Sequence, residues 1–249
     1  MSELEVAGSD IYLKPSVVFE QGRFYMVCAS SGHGKTSLLN FIYGVSDSFD
    51  GNVYLTEDEE RRVRHTPPQF CHAQISSTRS TGACTPSQEG RTTQDGGRRT
   101  ENAACSRGAF CRSTENELRT RVLSFMFQDL ALFPELTAKE NVLLKNRLTN
   151  FKSDAEIEAM LDSLLPPEKK NQPVATLSLG QRQRVAAVRA LCQPFKFILM
   201  DEPFSHIDSE NARRLATMVL DEVKRQGAGL IVTALDEIDY FPFDEILNL

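Results

Sequence analysis

No apolar run in the 249-residue chain approaches the roughly eighteen residues that a membrane-spanning helix requires. The opening stretch, Met1 to Asp10, is acidic and has no leader-like apolar core. Work at a membrane would therefore go through a partner. Positive charge is also short: the formal net charge of -6 argues against general nucleic-acid binding. The six cysteines include no CxxC pair, so a zinc ribbon or finger is not signalled. No heptad run marks a coiled coil. The largest absence is local. From Arg64 to Glu117 there is no Leu, Val or Met and one Ile, Ile75, so neither a helix nor a strand there has periodic apolar positions with which to bury a face. That stretch cannot build a core. The rest can, because a hydrophobic content of 41% over this length suffices for one full domain, read as residues 1–249.

What is present is a set of chemistry-bearing segments. A strand-like run, Phe24 to Cys28, leads into Ala29, Ser30, Ser31, Gly32, His33, Gly34, Lys35, Thr36 and Ser37, after which Lys35 to Val45 reads as a helix. Strand, glycine-bearing loop and helix, in that order, make a phosphate-binding loop. Glycines let successive backbone N–H groups turn toward a polyphosphate, and the helix adds its N-terminal dipole. Lys35 would reach the β- and γ-phosphates, and the Thr36 hydroxyl would meet Mg²⁺. The apolar run Phe195 to Met200 reads as a buried central strand of a parallel sheet, and it ends in Asp201 and Glu202. Asp201 is placed to hold Mg²⁺ and Glu202 to polarise the attacking water. Asp154 to Leu165 and Asn211 to Gln226 read as helices, and Gly229 to Val232 and Glu245 to Leu249 as strands. Such alternation is the pattern of an α/β fold with a mostly parallel core sheet.

A third segment, Leu177-Ser178-Leu179-Gly180-Gln181, precedes a helical stretch that runs to Leu191. It resembles the signature motif of the ATP-binding cassette family, usually written LSGGQ. Ser178 is a good helix N-cap and Gly180 permits close backbone approach. Phe125 to Val142 is similar to that family's Q-loop, and Ser205-His206-Ile207-Asp208 to its D-loop. The resemblance covers roughly residues 10–56 and 120–249. It implies a phosphate-loop cassette with an antiparallel β lobe and a helical signature lobe near residues 129–180. It further implies a dimer, of two copies or of two different cassettes, in which Ser178, Gly180 and Gln181 of one protomer meet the γ-phosphate of ATP held by the other. Gln128 is then a contact to Mg²⁺ or the water, Leu130 to Leu136 the surface that receives a membrane permease, and Asp208 a shaper of the dimer contact. The expected setting is the cytoplasmic face of a membrane, with ATP and Mg²⁺ as cofactors and no nucleic-acid partner.

The chain departs from the family pattern at several places. Ala29 stands for the loop's first glycine, which requires either a negative φ there or a reshaped turn, and Leu179 stands for a glycine of the signature. After Thr233 the family places a histidine that contacts the γ-phosphate, and here Ala234 and Leu235 follow. Neither Asp236 nor any of the four histidines, His33, His65, His72 and His206, restores it in sequence. Loss of one charge-stabilising hydrogen bond costs about 3 kcal/mol, roughly a hundredfold in rate. ATP binding with slow hydrolysis is the expectation, and an ATP-gated regulatory or scaffolding cassette is the alternative to a transport motor. Tyr12, and after it Phe19, is the candidate to stack on adenine.

The stretch 64–117 is read as an insertion. Arg61 to Arg121 carries eleven Arg, no Lys and five acidic residues, and Cys71, Cys84, Cys105 and Cys111 lie within it. Four readings stand: a disordered loop, a metal site built from those cysteines and His72, a disulfide pair, or a segment translated through a shifted reading frame.

Overall fold

Three strands, β3 (Phe24–Cys28), β7 (Phe197–Asp201) and β8 (Gly229–Ala234), are buried at every residue. In the computed structural model, which describes residues 3–7, 16–29, 34–45, 52–57, 61–65 and 116–248, both faces of their sheet are covered. The sheet is parallel throughout, with β6 (Leu123–Met126) and β9 (Glu245–Asn248) at its edges in the order β6-β7-β8-β3-β9. Residues of β7 alternate between the two sides. Ile198 and Met200 join one core with Leu230 and Val232, while Phe197 and Leu199 join the other with Ile231, Tyr25 and Val27. Such double burial is why the strands read as continuous apolar runs.

One face is covered by α1 (Lys35–Tyr43), which contributes Leu38, Leu39, Phe41 and Ile42. Gly44 ends that helix in the left-handed region at φ 75°, two residues short of the expected Val45 boundary. The opposite face carries α4 (Leu179–Leu191) and α5 (Ser209–Gln226). Residues 129–180 hold α2 (Ala138–Asn146) and α3 (Asp154–Leu164), each opened by a capping box, Thr137 with Glu140 and Ser153 with Glu156. Val142, Ile157 and Leu161 pack into the same core as Val185 and Val188 of α4, so the helices of this lobe share one continuous apolar interior with the sheet. Lys152 pins the lobe to α5 through a buried ion pair with Glu222, 2.7 Å long.

A second sheet is antiparallel, β2-β1-β4-β5, built from β1 (Glu3–Ala7), β2 (Ser16–Glu20), β4 (Asn52–Glu57) and β5 (Arg61–His65). Arg64 and His65 are thus strand residues paired with Tyr54 and Val53, although no apolar periodicity marked them. An edge strand is held by its backbone ladder and does not require a buried face. The stretch 64–117 therefore opens on two strand residues. At its other end Asn116 and Glu117 already lead into a single π-helical turn, Leu118–Val122, ahead of β6. Residues 66–115, including Cys71, His72, Cys84, Cys105 and Cys111, lie outside the described residues.

Candidate functional site

The carboxyl ends of β3, β7 and β8 bring the predicted residues together. At the head of α1, Gly34 is the N-cap with φ 88°, a left-handed conformation that favours glycine. Lys35 is buried, and its Nζ donates to the Ala29 carbonyl at 2.6 Å. Ala29 is not among the described residues with positive φ, so the negative-φ alternative holds and alanine fits. Thr36 Oγ1 donates to Gln128 Oε1 at 3.1 Å, a bond that spans 92 residues. Ser37 is exposed in the first turn of the helix. Ser30, Ser31, Gly32 and His33 lie outside the described residues, as does Tyr12.

Asp201 is the last residue of β7 and is 1% exposed. Its Oδ1 accepts from Thr233 Oγ1 at 2.5 Å, while its Oδ2 is buried without a hydrogen-bond partner. A buried, unsatisfied carboxylate oxygen is costly unless something arrives to use it. Together with the Thr36 hydroxyl and the Gln128 carbonyl oxygen it offers the hard oxygen donors that suit Mg²⁺. Glu202 sits at φ 47°, a strained backbone for a non-glycine residue. Its N–H is held by Thr233, 3.2 Å from the carbonyl and 3.1 Å from Oγ1. Its Oε1 lies 3.7 Å from Lys35 Nζ. The carboxylate and the lysine therefore offset one another's charge.

Ser178 caps α4. Its Oγ accepts from Gln181 N–H at 3.2 Å, and Gln181 Oε1 accepts from Ser178 N–H at 3.0 Å. Leu179 is the first helical residue and its side chain is 38% exposed, so no glycine conformation is required there. Gly180 differs: a Cβ at that position would collide with the carbonyl oxygen of His206. Gln183, one turn into the helix, donates to Ser205 Oγ at 2.9 Å and accepts from the His206 N–H at 3.2 Å. Asp208 caps α5 through Asn211 N–H at 3.0 Å.

Ala234, at the end of β8, is 7% exposed and borders a cavity of about 300 Å³ that Glu202, Ser205, Thr233 and Tyr240 also line. Phe19 is wholly buried and packs edge-to-face on Tyr25, which removes it as an adenine platform. Leu130 is also buried, at 6% exposure, because Arg189 holds the carbonyls of Leu130 and Ala131 at 3.0 and 2.6 Å. Within the expected docking stretch Ala131, Phe133, Pro134 and Glu135 are exposed, and the large apolar one is Phe133, 54% exposed, beside Leu144 and Leu148. These three rim a cleft of about 200 Å³ floored by Tyr43, Phe125 and Phe127. Lys145 lies in the same cleft, its ammonium pushed down to about 8 by burial and by Arg189.

A family profile described as "ABC transporter" matches residues 79–205, just over half of the chain. The chain belongs to the ABC transporter family. The cassette is an ATP-binding subunit of that family. It is 26% identical over 221 residues to the lipoprotein-releasing system ATP-binding protein LolD of Saccharophagus degradans, covering 86% of the cassette and 75% of that relative. Over 129 residues it is 34% identical to the phosphonates import ATP-binding protein PhnC of Stutzerimonas stutzeri, covering 47% of the cassette and 46% of PhnC. Its fold matches the dimeric structure of MJ0796, a bacterial ABC transporter cassette, with TM-score 0.64 at 20% identity over 95% of this chain and 88% of that one. A putative ABC transporter ATP-binding protein from Pyrococcus furiosus gives TM-score 0.63 at 17% identity over 99% and 97% of the two chains.

Two residues that the motifs did not mark organise the cassette's site. Thr233 fixes both carboxylate residues at once, and Gln183 ties the signature helix to Ser205 and His206. Thr233 is recognisable in sequence only as the residue before the missing histidine. Gln183 is one of two glutamines in LSLGQRQR, and nothing local singles it out.

Proposed function

We propose that the cassette binds Mg²⁺ and ATP between Lys35, Thr36, Gln128 and Asp201, closes head-to-tail on a second cassette, and hydrolyses the nucleotide slowly to drive a membrane permease. The carrying observation is the convergence of Lys35, Glu202 and the unsatisfied Asp201 Oδ2 at the carboxyl edge of a parallel sheet. When bound, the metal would supply charge neutralisation at the β- and γ-phosphates. Lys35 leaves Glu202 for the phosphates, which frees that carboxylate to polarise water. Thr233 and the strained backbone hold Glu202 in place during that exchange. Ser178 keeps its hydroxyl proton available for a phosphate because its oxygen, not its proton, caps α4. Gly180 and Gln181 complete the surface presented to the second cassette, and Ala29, Ser30, Ser31, Gly32, His33, Gly34 and Ser37 the cradle. Tyr12 is the adenine contact.

The cleft rimmed by Phe133, Leu144 and Leu148 is the permease dock, which puts the chain at the cytoplasmic face of a membrane. Among the described residues no helix is long and apolar enough to cross a membrane. We read the chain as one ABC ATPase domain in which residues 129–180 approximate the helical lobe and 64–117 an insertion. Ala234 favours a second reading, an ATP-gated regulatory cassette with little turnover.

Glu202→Gln supplied with MgATP tests the central claim by size-exclusion chromatography with light scattering. A dimer that forms with ATP and dissociates after nucleotide removal is expected; a monomer at saturating MgATP would overturn it. Turnover unresponsive to the permease would favour the regulatory reading.

A further inference from the structure

The end of β8 carries Ala234 and no imidazole, and another imidazole stands beside the N-terminal turn of α4. His206 is exposed, yet its backbone is fixed by α4. Its carbonyl packs so closely on Gly180 that no Cβ fits between them, and its N–H donates to Gln183 Oε1 at 3.2 Å. Its Nδ1 lies 2.9 Å from Ser205 Oγ. The Ser205 proton has two acceptors in reach, that Nδ1 and the Glu202 carbonyl at 3.2 Å. When the proton goes to the ring, Nε2 carries the imidazole hydrogen and becomes a donor. Among the described residues Nε2 has no hydrogen-bond partner. The ring therefore shares a surface with the Ser178-capped N-terminus of α4 and keeps one nitrogen uncommitted.

We propose that His206 of one cassette donates from Nε2 to the γ-phosphate held by Lys35 and Thr36 of a second copy, standing in for the histidine absent after Thr233. This rests on the head-to-tail reading above, in which the Ser178 and Gly180 surface faces that phosphate. A donor whose backbone is already locked against Gly180 and Gln183 costs little reorganisation when charge develops, which is the condition for an effective electrostatic contact. Ala234 leaves the γ-phosphate side of β8 open to a ring arriving from outside the chain.

The test uses phosphate release by the full chain. His206→Ala is expected to lower turnover by about a hundredfold while ATP-driven dimerisation and the melting midpoint stay as in the parent. His206→Gln, which restores a donor at similar reach, is expected to recover part of the loss. Glu202→Gln and His206→Ala are then mixed in equal amounts, each nearly inactive alone. Random exchange in a two-fold dimer makes half of the dimers mixed, each with one composite site that has both Glu202 and the partner's imidazole, so about a quarter of parental activity returns. Parental turnover in His206→Ala, or a mixture no more active than its components, would overturn the proposal and leave the head-to-tail reading intact. Failure of Glu202→Gln to dimerise with MgATP would overturn both.

Discussion

In a His206→Ala background, Ala234→His should raise turnover about a hundredfold. Ala234 pairs with Cys28 across β3 and β8, one residue beyond the Thr233 that binds Asp201 and Glu202. A side chain added there enters the cavity of about 300 Å³ beside Glu202 without displacing the sheet. Since a water molecule occupies about 30 Å³ of liquid, there is room for the five ring atoms of an imidazole. Overpacking cost is therefore small and the variant should melt near the parent temperature. One preorganised donor at a developing phosphoryl charge is worth about 3 kcal/mol, or about two decades in rate. Steady-state phosphate release under saturating MgATP reads the change directly. The gain should appear in kcat, because Lys35, Thr36 and Asp201, the proposed ground-state contacts, are untouched. Because His206 serves the same phosphate, Ala234→His should gain much less in the parent than in His206→Ala, a non-additive cycle. Equal turnover in the double variant and in His206→Ala, with dimerisation preserved in both, would show that an imidazole at the end of β8 does not serve hydrolysis.

Gly180→Ala sets a Cβ against the His206 backbone carbonyl, which has no flexible end to yield; a loss of about 1–3 kcal/mol in denaturant unfolding is expected, with weaker ATP-driven dimerisation. Lys145→Met removes a buried ammonium whose folded-state pKa has been pushed down to about 8. Between that value and the usual 10.5 the unfolded chain binds more protons, so parental stability rises with pH through this window. The variant should exceed the parent by no more than about 3 kcal/mol at neutral pH and lose that advantage by the top of the window, followed by urea melts across pH. Glu158 is held down to about 2 by hydrogen bonds from Lys139 and Lys170. Its contribution is complete above the ordinary carboxylate pKa of 4.5 and is lost as pH falls toward 2. Glu158→Gln should flatten that acid limb of the stability curve, and an unchanged limb would show that other carboxylates control it.

Much of the site was legible in sequence because its signals are local. A strand, a glycine-bearing turn and Lys35-Thr36 follow one another directly. The apolar run into Asp201 and Glu202 is buried on both faces, and the Ser178 and Gln181 capping box is contained within four residues. What the sequence did not reveal is set by pairings distant in the chain. The Thr36 to Gln128 bond, the Lys35 to Glu202 contact and the grip of Thr233 on two carboxylate residues all follow from strand order and register, which no local pattern encodes. Phe19 stood second to Tyr12 as an adenine platform, and only its burial against Tyr25 removed it. β5 escaped notice because a backbone ladder leaves no hydrophobic period behind. Leu130 looked like part of a docking surface until the positive φ of Leu130 and Ala131, at 63° and 43°, turned it inward.

The placement of β3 between β8 and β9 also bears on how the protein is made. The strand that launches the phosphate loop takes its neighbours from far downstream, and the Phe24 backbone is anchored to Asp244, 220 residues later. At ribosomal rates of about 5–20 residues per second, that separation is a wait of roughly 10–45 s, during which Phe24 to Cys28 emerges with both edges unpaired. The strand ahead of the candidate phosphate loop is thus among the last to be enclosed, and the newborn chain carries a bare apolar edge until Asp244 has been made.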